Sequence, residues 1–482
     1  MHDRTVGLFV LAALALAMIL TRTASGQTLL DLQNLPISDH FASEAFAVSG
    51  DGRVIGGRGR PAQDAWLLND TFMTTFVAPG FAPSVVNDLS TDGSVAVGTA
   101  VANQAFRWTA ATGATPLGDL VGGTGSSYAT GVAADGAIVT GAADSPGGTL
   151  SFLEAFRWTL TNPGAGQGTM VGLGDLPGGD NYSAGAAISH DGSAIVGGAS
   201  SAASHGGGAG FSLSFEAFRW TQPAGMVPLG DLPGGGYYSF ANAVSADGSV
   251  IVGASTSTAS GVSDLEAFRW TAGGGMVGLG DLPGGRFDSF ATGISANGSI
   301  VVGASAVAIG DGGVDVYAPF IWDAASGMRD LRTVFAQLGL ILPQLNMTNA
   351  TAVSDDGRTI TGFGKSIFRT PAGDLRTEAW VGILPRPLLP GDFDENGGVD
   401  GADLARWRMG FGMTAGAVHT QGDADGDQDV DGADFLAWQR QLGGASTEAA
   451  TGVVPEPSPE VLLPAVALLF VPARRRRCAR AV

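Results

Sequence analysis

A unit of roughly 50 residues that repeats seven times constrains the fold of this chain more than any other feature. In its most regular copy, residues 241–285, four short apolar segments alternate with turn sequences. Ala246-Asp247-Gly248 is typical of a tight hairpin turn, and SVIVGAS after it has the β-branched content of a strand. EAFRWT and GMVGLGDL follow as the third and fourth strands. No window in this copy shows the apolar period of a helix.

Two landmarks count the copies. A glycine marks the first hairpin turn of each copy: Gly52, Gly93, Gly136, Gly192, Gly248, Gly298 and Gly357. An aromatic residue marks each third strand: Trp66, Phe106, Phe156, Phe218, Phe268, Phe320 and Trp380. Four strands per copy at this period predict an all-β, seven-bladed propeller of four-stranded blades. Stacking blades around a ring buries both faces of each sheet.

The two ends of the repeat region are incomplete in complementary ways. Residues 28–36 resemble the fourth strand of the unit, whereas the seventh copy stops after its third strand, residues 378–384. We therefore predict that the N-terminal strand completes the last blade and closes the ring. The predicted propeller domain spans residues 27–386. An open solenoid would instead need capping repeats at its ends.

Copies two to five share Phe-Arg-Trp on the third strand and Leu-Gly-Asp-Leu on the fourth. The arginines are Arg107, Arg157, Arg219 and Arg269, and the aspartates are Asp119, Asp175, Asp231 and Asp281. Because the two strands are neighbours, we expect a repeated bidentate ion pair that locks each blade. A ring of channel-lining charges is the alternative. Copy six has Ile321 at the arginine position, so the pair is not obligatory.

Taken together, DGS-VVG, EAFRW and GMVGLGDLPGG resemble the HAF-family extracellular repeat of bacterial surface and secreted proteins. The resemblance covers residues 28–385. It implies export and a repeat architecture, and it implies no biochemical activity.

Both ends of the chain carry targeting signals. Residues 1–26 have the charged start, apolar core and small-residue cleavage site of a secretory signal peptide, so we expect export through the Sec pathway and cleavage by signal peptidase. An uncleaved membrane anchor is the alternative. Residues 454–482 combine Val-Pro-Glu-Pro-Ser, a short apolar stretch and four arginines, and resemble the PEP-CTERM sorting signal, which implies cleavage by an exosortase in a Gram-negative-type bacterium. A plain membrane anchor is the alternative, and either places the protein at the cell surface or in the extracellular matrix.

Composition limits the chemistry of the chain. The formal net charge is −20, which argues against a nucleic-acid partner and favours Ca²⁺. The only cysteine, Cys478, lies in the tail, so no disulfide or thiolate site is expected in the body of the protein. The remaining histidines are predicted to be solvated loop or linker residues and not bases: His40, His190, His205 and His419. We find no nucleophile elbow and no catalytic constellation.

After a proline-rich linker, two acidic loops of the same spacing give the clearest chemical signal. The first offers Asp392, Asp394, Asn396, Gly398, Asp400 and Asp403, and the second offers Asp423, Asp425, Asp427, Asp429, Asp431 and Asp434. These are positions 1, 3, 5, 7, 9 and 12 of an EF-hand-like Ca²⁺ loop, with position 7 contributing its main-chain carbonyl. Gln428 occupies the glycine position of the second loop, so we expect a strained turn and a weaker site there.

An apolar stripe follows each loop, and the two stripes are predicted to form one small helical core: Leu404, Trp407 and Phe411, then Phe435, Trp438 and Leu442. Aspartate at position 12 followed by an apolar residue resembles a type I dockerin module, over residues 391–444. The resemblance implies Ca²⁺ binding and a cohesin-like partner. The positions that are commonly Ser or Thr in the family are here Gly401-Ala402 and Gly432-Ala433.

These patterns predict an exported binding or scaffold protein without chemistry of its own. The alternative is a secreted polysaccharide-active enzyme, a hydrolase or lyase, with a carboxylate pair on the propeller face. Variable loops and entry-loop aromatics favour the face opposite the hairpin turns as the site of an extracellular glycan or glycoprotein. The aromatics are Tyr128, Tyr182, Tyr237, Tyr238 and Phe287. Simple packing under the loops is their alternative role.

Overall fold

The structure is a computed structural model. It describes residues 28–32, 42–60, 64–69, 73–75, 83–101, 103–145, 153–179, 182–205, 215–310, 313–369, 373–385, 389–394 and 398–442. The chain divides into two compact units, Met1–Arg386 and Pro387–Val482. The signal peptide and the sorting signal lie outside the described residues.

Strands build seven four-stranded antiparallel sheets in unit 1. Blade 1 has β2 (Ala42–Val48), β3 (Ile55–Arg60), β4 (Ala65–Leu68) and β5 (Met73–Thr75). Blade 2 has β6 (Pro83–Leu89), β7 (Val95–Ala100), β8 (Gln104–Thr109) and β9 (Gly113–Pro116). Blade 3 has β10 (Ser127–Val132), β11 (Ile138–Asp144), β12 (Leu153–Asn162) and β13 (Gln167–Gly172), with a 3₁₀ turn at Pro163–Ala165.

The remaining blades repeat this order. Blade 4 has β14 (Ser183–Ile188), β15 (Ala194–Ala199), β16 (Glu216–Thr221) and β17 (Gly225–Gly230), with a short helix α1 (Ala202–His205). Blade 5 has β18 (Ser239–Val244), β19 (Val250–Ser257), β20 (Gly261–Thr271) and β21 (Gly275–Gly278). Blade 6 has β22 (Ser289–Ile294), β23 (Val301–Ile309), β24 (Asp315–Asp323) and β25 (Gly327–Asp330), followed by helix α2 (Leu331–Gln337).

Blade 7 is completed by the start of the chain, as predicted. It contains β26 (Leu345–Val353), β27 (Thr359–Arg369) and β28 (Leu375–Ile383), and β1 (Thr28–Asp31) pairs with β28 in the fourth position. The antiparallel register runs from Thr28 opposite Ile383 to Asp31 opposite Trp380. The seven-bladed, four-stranded propeller is confirmed.

Both sequence landmarks have the structural role that their spacing predicts. All seven turn glycines have φ between 67° and 73°, a left-handed conformation that glycine adopts without strain. All seven third-strand aromatics are 0% exposed. They lie in successive apolar clusters between neighbouring blades, so the core is a ring of inter-blade layers.

A β-bulge interrupts the first strand of every blade. The residues left without a partner in the ladder are Phe46, Asn87, Thr130, Ala186, Asn242, Thr292 and Thr351. The five polar ones donate to a main-chain carbonyl of the next blade at 2.7–2.9 Å, from Asn87 to Ala129 in one case. The bulge therefore directs a side chain across each of these blade interfaces.

A ring of main-chain hydrogen bonds surrounds the mouth of the central channel. Each first hairpin turn donates an N–H to a carbonyl of the next turn at 2.9–3.2 Å. The bonds run from Asp51 to Thr91, Thr91 to Ala134, Ala134 to His190, His190 to Ala246, Ala246 to Ala296, Ala296 to Asp355 and Asp355 to Gly50. The last bond returns to blade 1, so the ring is closed.

The described residues of unit 2 form two helices of equal length, α3 (Gly401–Gly410) and α4 (Gly432–Gln441), and a 3₁₀ turn at His419–Gln421. Trp407, Phe435 and Trp438 pack together with ring centroids 5.0 and 5.5 Å apart. The predicted stripe is wrong at its last positions, because α3 and α4 end before Phe411 and Leu442. These two side chains are 59% and 53% exposed.

Candidate metal centre and ligand surface

The acidic loops of unit 2 each end in a helix that their own aspartates cap. Asp400 and Asp431 are the N-cap residues of α3 and α4, and Asp403 and Asp434 occupy the third helical position in a capping box. Although charged, Asp403 and Asp434 are 0% and 1% exposed. A carboxylate at this depth needs hydrogen bonds or a counter-ion.

Main-chain donors orient the buried carboxylates. In the first loop, Asp403 accepts from the N–H groups of Asp394 at 3.0 Å and Asp400 at 2.8 Å. In the second loop, Asp434 accepts from Ala424 at 2.6 Å and Asp431 at 2.7 Å. The loops thus share one design, in which the last aspartate fixes both the start and the end of its loop.

Three sets of carboxylates converge closely enough to share one cation. In each set the oxygens lie within 4.8 Å of one another: Asp392, Asp394 and Asp403; Asp423, Asp425 and Asp434; and Asp429, Asp431 and Asp434. Desolvation first, and the neighbouring carboxylates next, raise the pKa of Asp425 and of Asp429. Oδ1 of Asp429 is also buried without a hydrogen-bond partner. An all-oxygen, anionic donor set of this kind fits a hard divalent cation.

The other predicted ligands have separate positions. Asn396 lies outside the described residues. Gly398 lies in the first loop and has no side chain, so only its main chain could contribute a ligand. The Asp400 side chain accepts from Ala402 N–H at 2.7 Å and caps the helix. Asp427 accepts from Asp429 N–H at 3.0 Å, which stabilises the turn. Gln428 has φ of 72°, so the strained position predicted for the second loop is present.

The two loop–helix halves are locked to each other reciprocally. The Trp407 indole N–H donates to the main-chain carbonyl of Asp431 at 2.9 Å, and the Trp438 indole N–H donates to that of Asp400 at 2.8 Å. Each helix therefore fixes position 9 of the other half's loop. His419, which we expected to be solvated, is half-buried beside Phe393, with ring centroids 5.6 Å apart.

In unit 1, first strands from all seven blades line a central cavity of about 180 Å³. Asp88 faces this cavity and accepts from Val132 N–H and Leu89 N–H, both at 2.8 Å. Burial raises the pKa of Asp88 to about 7, although the two N–H donors oppose the shift. His190 also lines the cavity and lies 3.2 Å from an Asp355 oxygen. His190 is thus a partly exposed turn residue, as expected, and it has a carboxylate partner that the sequence did not indicate.

The predicted ion pair between repeat arginines and aspartates is absent among the described residues. Arg107 and Arg219 instead donate through Nε to the turn carbonyls of Gly136 and Gly248, each in the following blade. Asp119, the repeat aspartate of blade 2, accepts from N–H groups of its own loop. Arg107 and Arg219 therefore join neighbouring blades, whereas Arg157 donates to Thr159 on its own strand.

The entry-loop aromatics divide into packed and exposed groups. Tyr182 is half-buried and lies 4.9 Å from the ring of Phe215, which also contacts Tyr238 at 6.1 Å. Tyr128 and Phe287 are half-buried as well. Tyr237 is different, since it is 52% exposed and has φ of 57°. A non-glycine residue at positive φ is strained, and such positions cluster at functional sites.

The same face carries a charged cluster between blades 5 and 6. Arg286 lies 3.4 Å from Asp315 and 4.0 Å from Asp264. The Tyr317 hydroxyl donates to Asp288, which also accepts from Leu265 N–H at 3.0 Å. Three carboxylates, one guanidinium and one phenol are thus concentrated on the face where the loops vary. Sequence reasoning did not select these residues, because they come from three separate segments.

Comparisons with known proteins identify no family for the chain. No protein-family model matches it, and no curated protein matches it. One similar solved structure is that of an oligogalacturonate lyase in complex with manganese, with 13% identity, a TM-score of 0.46, and coverage of 76% of this chain and 95% of that one. No described helix is long and apolar enough to cross a membrane.

Proposed function

We propose that this protein is an exported, surface-displayed or matrix-associated binding and scaffold protein. In this proposal the propeller presents a ligand surface, and residues 391–444 form a Ca²⁺-dependent, dockerin-like module for protein–protein assembly. A cohesin-like protein is the proposed partner. The signal peptide and the sorting signal, processed by signal peptidase and an exosortase, would carry the protein to the cell surface.

The observation that carries the proposal is the pair of buried position-12 aspartates. Asp403 and Asp434 converge with other carboxylates while each accepts two main-chain N–H groups. Such a cluster repels itself unless a cation neutralises it. Ca²⁺ accepts many oxygen ligands in flexible geometry, whereas Mg²⁺ demands a near-octahedral shell and retains waters. The duplicated loops therefore favour Ca²⁺.

Calorimetry on the purified protein tests the metal assignment. We expect two Ca²⁺ ions per chain, weaker Mg²⁺ binding, and loss of helical circular dichroism on chelation. Asp403→Asn and Asp434→Asn should each remove one site, because the amide preserves the shape and removes the charge. Asp247→Asn, at a blade turn, is the matched control and should bind two ions. Absence of Ca²⁺ binding would refute the module.

The proposed ligand of the propeller is an extracellular glycan or glycoprotein on the face that carries Tyr237. An aromatic side chain exposed beside glycines suits the flat face of a sugar ring. Glycan-array binding of the purified protein is the direct measurement. If substitution of Tyr237 leaves binding to the array unchanged, the glycan site lies elsewhere.

The second candidate function is a polysaccharide-active enzyme, which the Arg286 cluster favours. Asp264, Asp288 and Asp315 supply carboxylates near one another, and acid–base cleavage of a glycan needs such groups. Release of reducing ends or unsaturated products from polysaccharides would support this candidate. Asp288→Asn should then abolish turnover without loss of the fold. A protein that binds glycans and releases no product is a binding protein.

A further inference from the structure

The main-chain ring around the channel mouth presents one side chain from each blade. The seven equivalent residues are Gly50, Thr91, Ala134, His190, Ala246, Ala296 and Asp355. Five of them are glycine, alanine or threonine. His190 and Asp355 are the exceptions, and they come from blades 4 and 7, which are not neighbours.

The two exceptional side chains meet. His190 Nε2 lies 3.2 Å from Asp355 Oδ1, and both residues line the central cavity, so their bond spans the channel. Gly50 of blade 1 leaves the room that this contact needs. A Cβ added there would lie 2.3 Å from Asp355 Oδ2 and 2.8 Å from Thr91 Cγ2.

We propose that His190 and Asp355 form a proton-controlled latch, which spans the channel mouth and joins blades 4 and 7. Protonated His190 holds the latch closed through a charge-assisted hydrogen bond. Neutral His190 retains only an ordinary hydrogen bond, so the mouth loosens and solvent gains access to the cavity beneath it.

The surroundings of the latch favour this behaviour. The carboxylates that act on His190 are Asp355 from blade 7, Asp88 from blade 2 and Asp191 from its own turn. Within the described part of the chain, no lysine or arginine lines the cavity. The hydrogen bond to Asp355 raises the pKa of His190 despite desolvation. Once His190 loses its proton, Asp355 and ionised Asp88 lose the cation that interacts with both, and their repulsion opposes closure.

Proton NMR of the His190 imidazole in the full chain tests the pairing itself. We expect His190 to titrate above the ordinary histidine value in the native protein. In Asp355→Asn its titration should fall towards that ordinary value, because the charged partner is lost. Equal titration midpoints in the two proteins would overturn the proposal.

Hydrogen exchange tests the opening. The reporters are the His190 and Asp355 amides of the ring, and their protection is measured relative to amides inside blade 5 to remove global unfolding. We expect this ratio to fall several-fold between about pH 5.5 and about pH 8.5 in the native protein, the range over which histidine loses its proton. His190→Gln, which keeps a donor but does not titrate, should show no such step. Gly50→Ala, which displaces Asp355, should give low protection at both pH values.

Asp88→Asn separates the latch from the other titrating group. The step should persist in this variant, because His190 and Asp355 are intact. A step that disappears with Asp88, or that remains in His190→Gln or Gly50→Ala, would overturn the latch.

Discussion

The Thr351 hydroxyl in blade 7 donates to the main-chain carbonyl of Ala45 in blade 1, 2.9 Å away across 306 residues of sequence. Two further bonds cross the same interface, from Ala379 N–H to Ser43 Oγ at 3.1 Å and from Asp355 N–H to Gly50 O at 3.0 Å. Together with β1, these contacts close the ring. Because closure brings the ends of the domain together, it links the longest-range contacts of the fold to its stability.

Deleting residues 28–36 should lower the melting temperature of the propeller. The deletion removes the β1–β28 ladder and the bond from Leu32 N–H to Ala379 O at 3.0 Å. At about 1 kcal/mol net per hydrogen bond, the expected loss is a few kcal/mol. Calorimetric melting measures it, and a synthetic peptide of residues 28–36 should restore part of the stability. A truncated protein that melts like the intact one would show that β1 does not close the ring.

The ring was predictable from the sequence because the repeat is periodic. The missing strand after Leu384 and the surplus strand at Thr28 are visible without coordinates. The contacts of the repeat arginines could not be predicted from the sequence, since Arg107 donates to the Gly136 carbonyl in a different blade. Spacing along one repeat identifies neighbouring strands within a blade, but it does not show which turn of the next blade lies within reach.

Arg107→Met should destabilise the propeller more than Arg157→Met. Arg107 is buried and donates across a blade interface at 2.8 Å, whereas the Arg157 guanidinium donates to Thr159 on its own strand. Loss of a hydrogen bond from a charged donor costs about 1.5–3 kcal/mol, and methionine fills most of the space. Denaturant unfolding of the two variants provides the comparison. Equal losses would mean that the inter-blade bond contributes nothing.

Asp88→Asn should stabilise the propeller above neutral pH. The folded-state pKa of Asp88 is about 7 against 3.8 for the ordinary side chain, so the folded state holds this proton more tightly. Stability from Asp88 is therefore greatest below about pH 4 and falls as the pH rises to about 7. Because Asp88 is half-buried and not fully enclosed, we expect a gain of about 1–3 kcal/mol at about pH 8.5, below the limit of about 1.36 kcal/mol per pKa unit.

Unfolding curves at about pH 5 and about pH 8.5, on either side of the Asp88 titration, show whether Asp88→Asn raises or lowers the free energy of unfolding. They are best recorded in a His190→Gln background, so that Asp88 is the titrating channel group under test. Asparagine loses one of the two main-chain acceptor contacts, so no gain is expected at the lower pH. A variant that is less stable than its parent at the higher pH would show that the ionised Asp88 carboxylate does not destabilise the folded state.

The sequence predicted which aspartates of unit 2 belong together, because the two loops have the same spacing. Asp403 converges with Asp392 and Asp394, and Asp434 converges with Asp423 and Asp425. The reciprocal bonds from Trp407 and Trp438 were not readable, because only folding brings each indole to the opposite loop. The apolar stripes correctly predicted that the two helices contact each other, but they wrongly included Phe411, because the apolar period does not show where a helix ends.

Gln428→Gly should stabilise the second loop in the presence of Ca²⁺. Gln428 adopts φ of 72°, which costs a side-chain-bearing residue about 1 kcal/mol and costs glycine little. We expect the Ca²⁺-loaded module to gain about that amount in denaturant unfolding. Gln428→Ala is the control, because it shortens the side chain and keeps the strain.

Because the strain at Gln428 weakens the second loop, Asp392→Ala should weaken Ca²⁺ binding more than Asp423→Ala. Equal calorimetric affinities of the two sites would contradict this ranking.

Tyr237 and Tyr182 should respond differently to substitution, although both lie in entry loops. Tyr182 packs on Phe215 at 4.9 Å, so Tyr182→Ala should lower the melting temperature, contrary to a purely ligand-binding role. Tyr237 is 52% exposed at φ of 57°. Tyr237→Gly should therefore remove glycan binding while leaving stability equal or higher, because glycine relieves the backbone strain. Tyr237→Phe is the matched control and should keep both binding and fold. Glycan-array signal and melting temperature, measured together on the three variants, decide the role: binding that survives Tyr237→Gly, or a fold that fails in it, would show that this tyrosine is a structural residue.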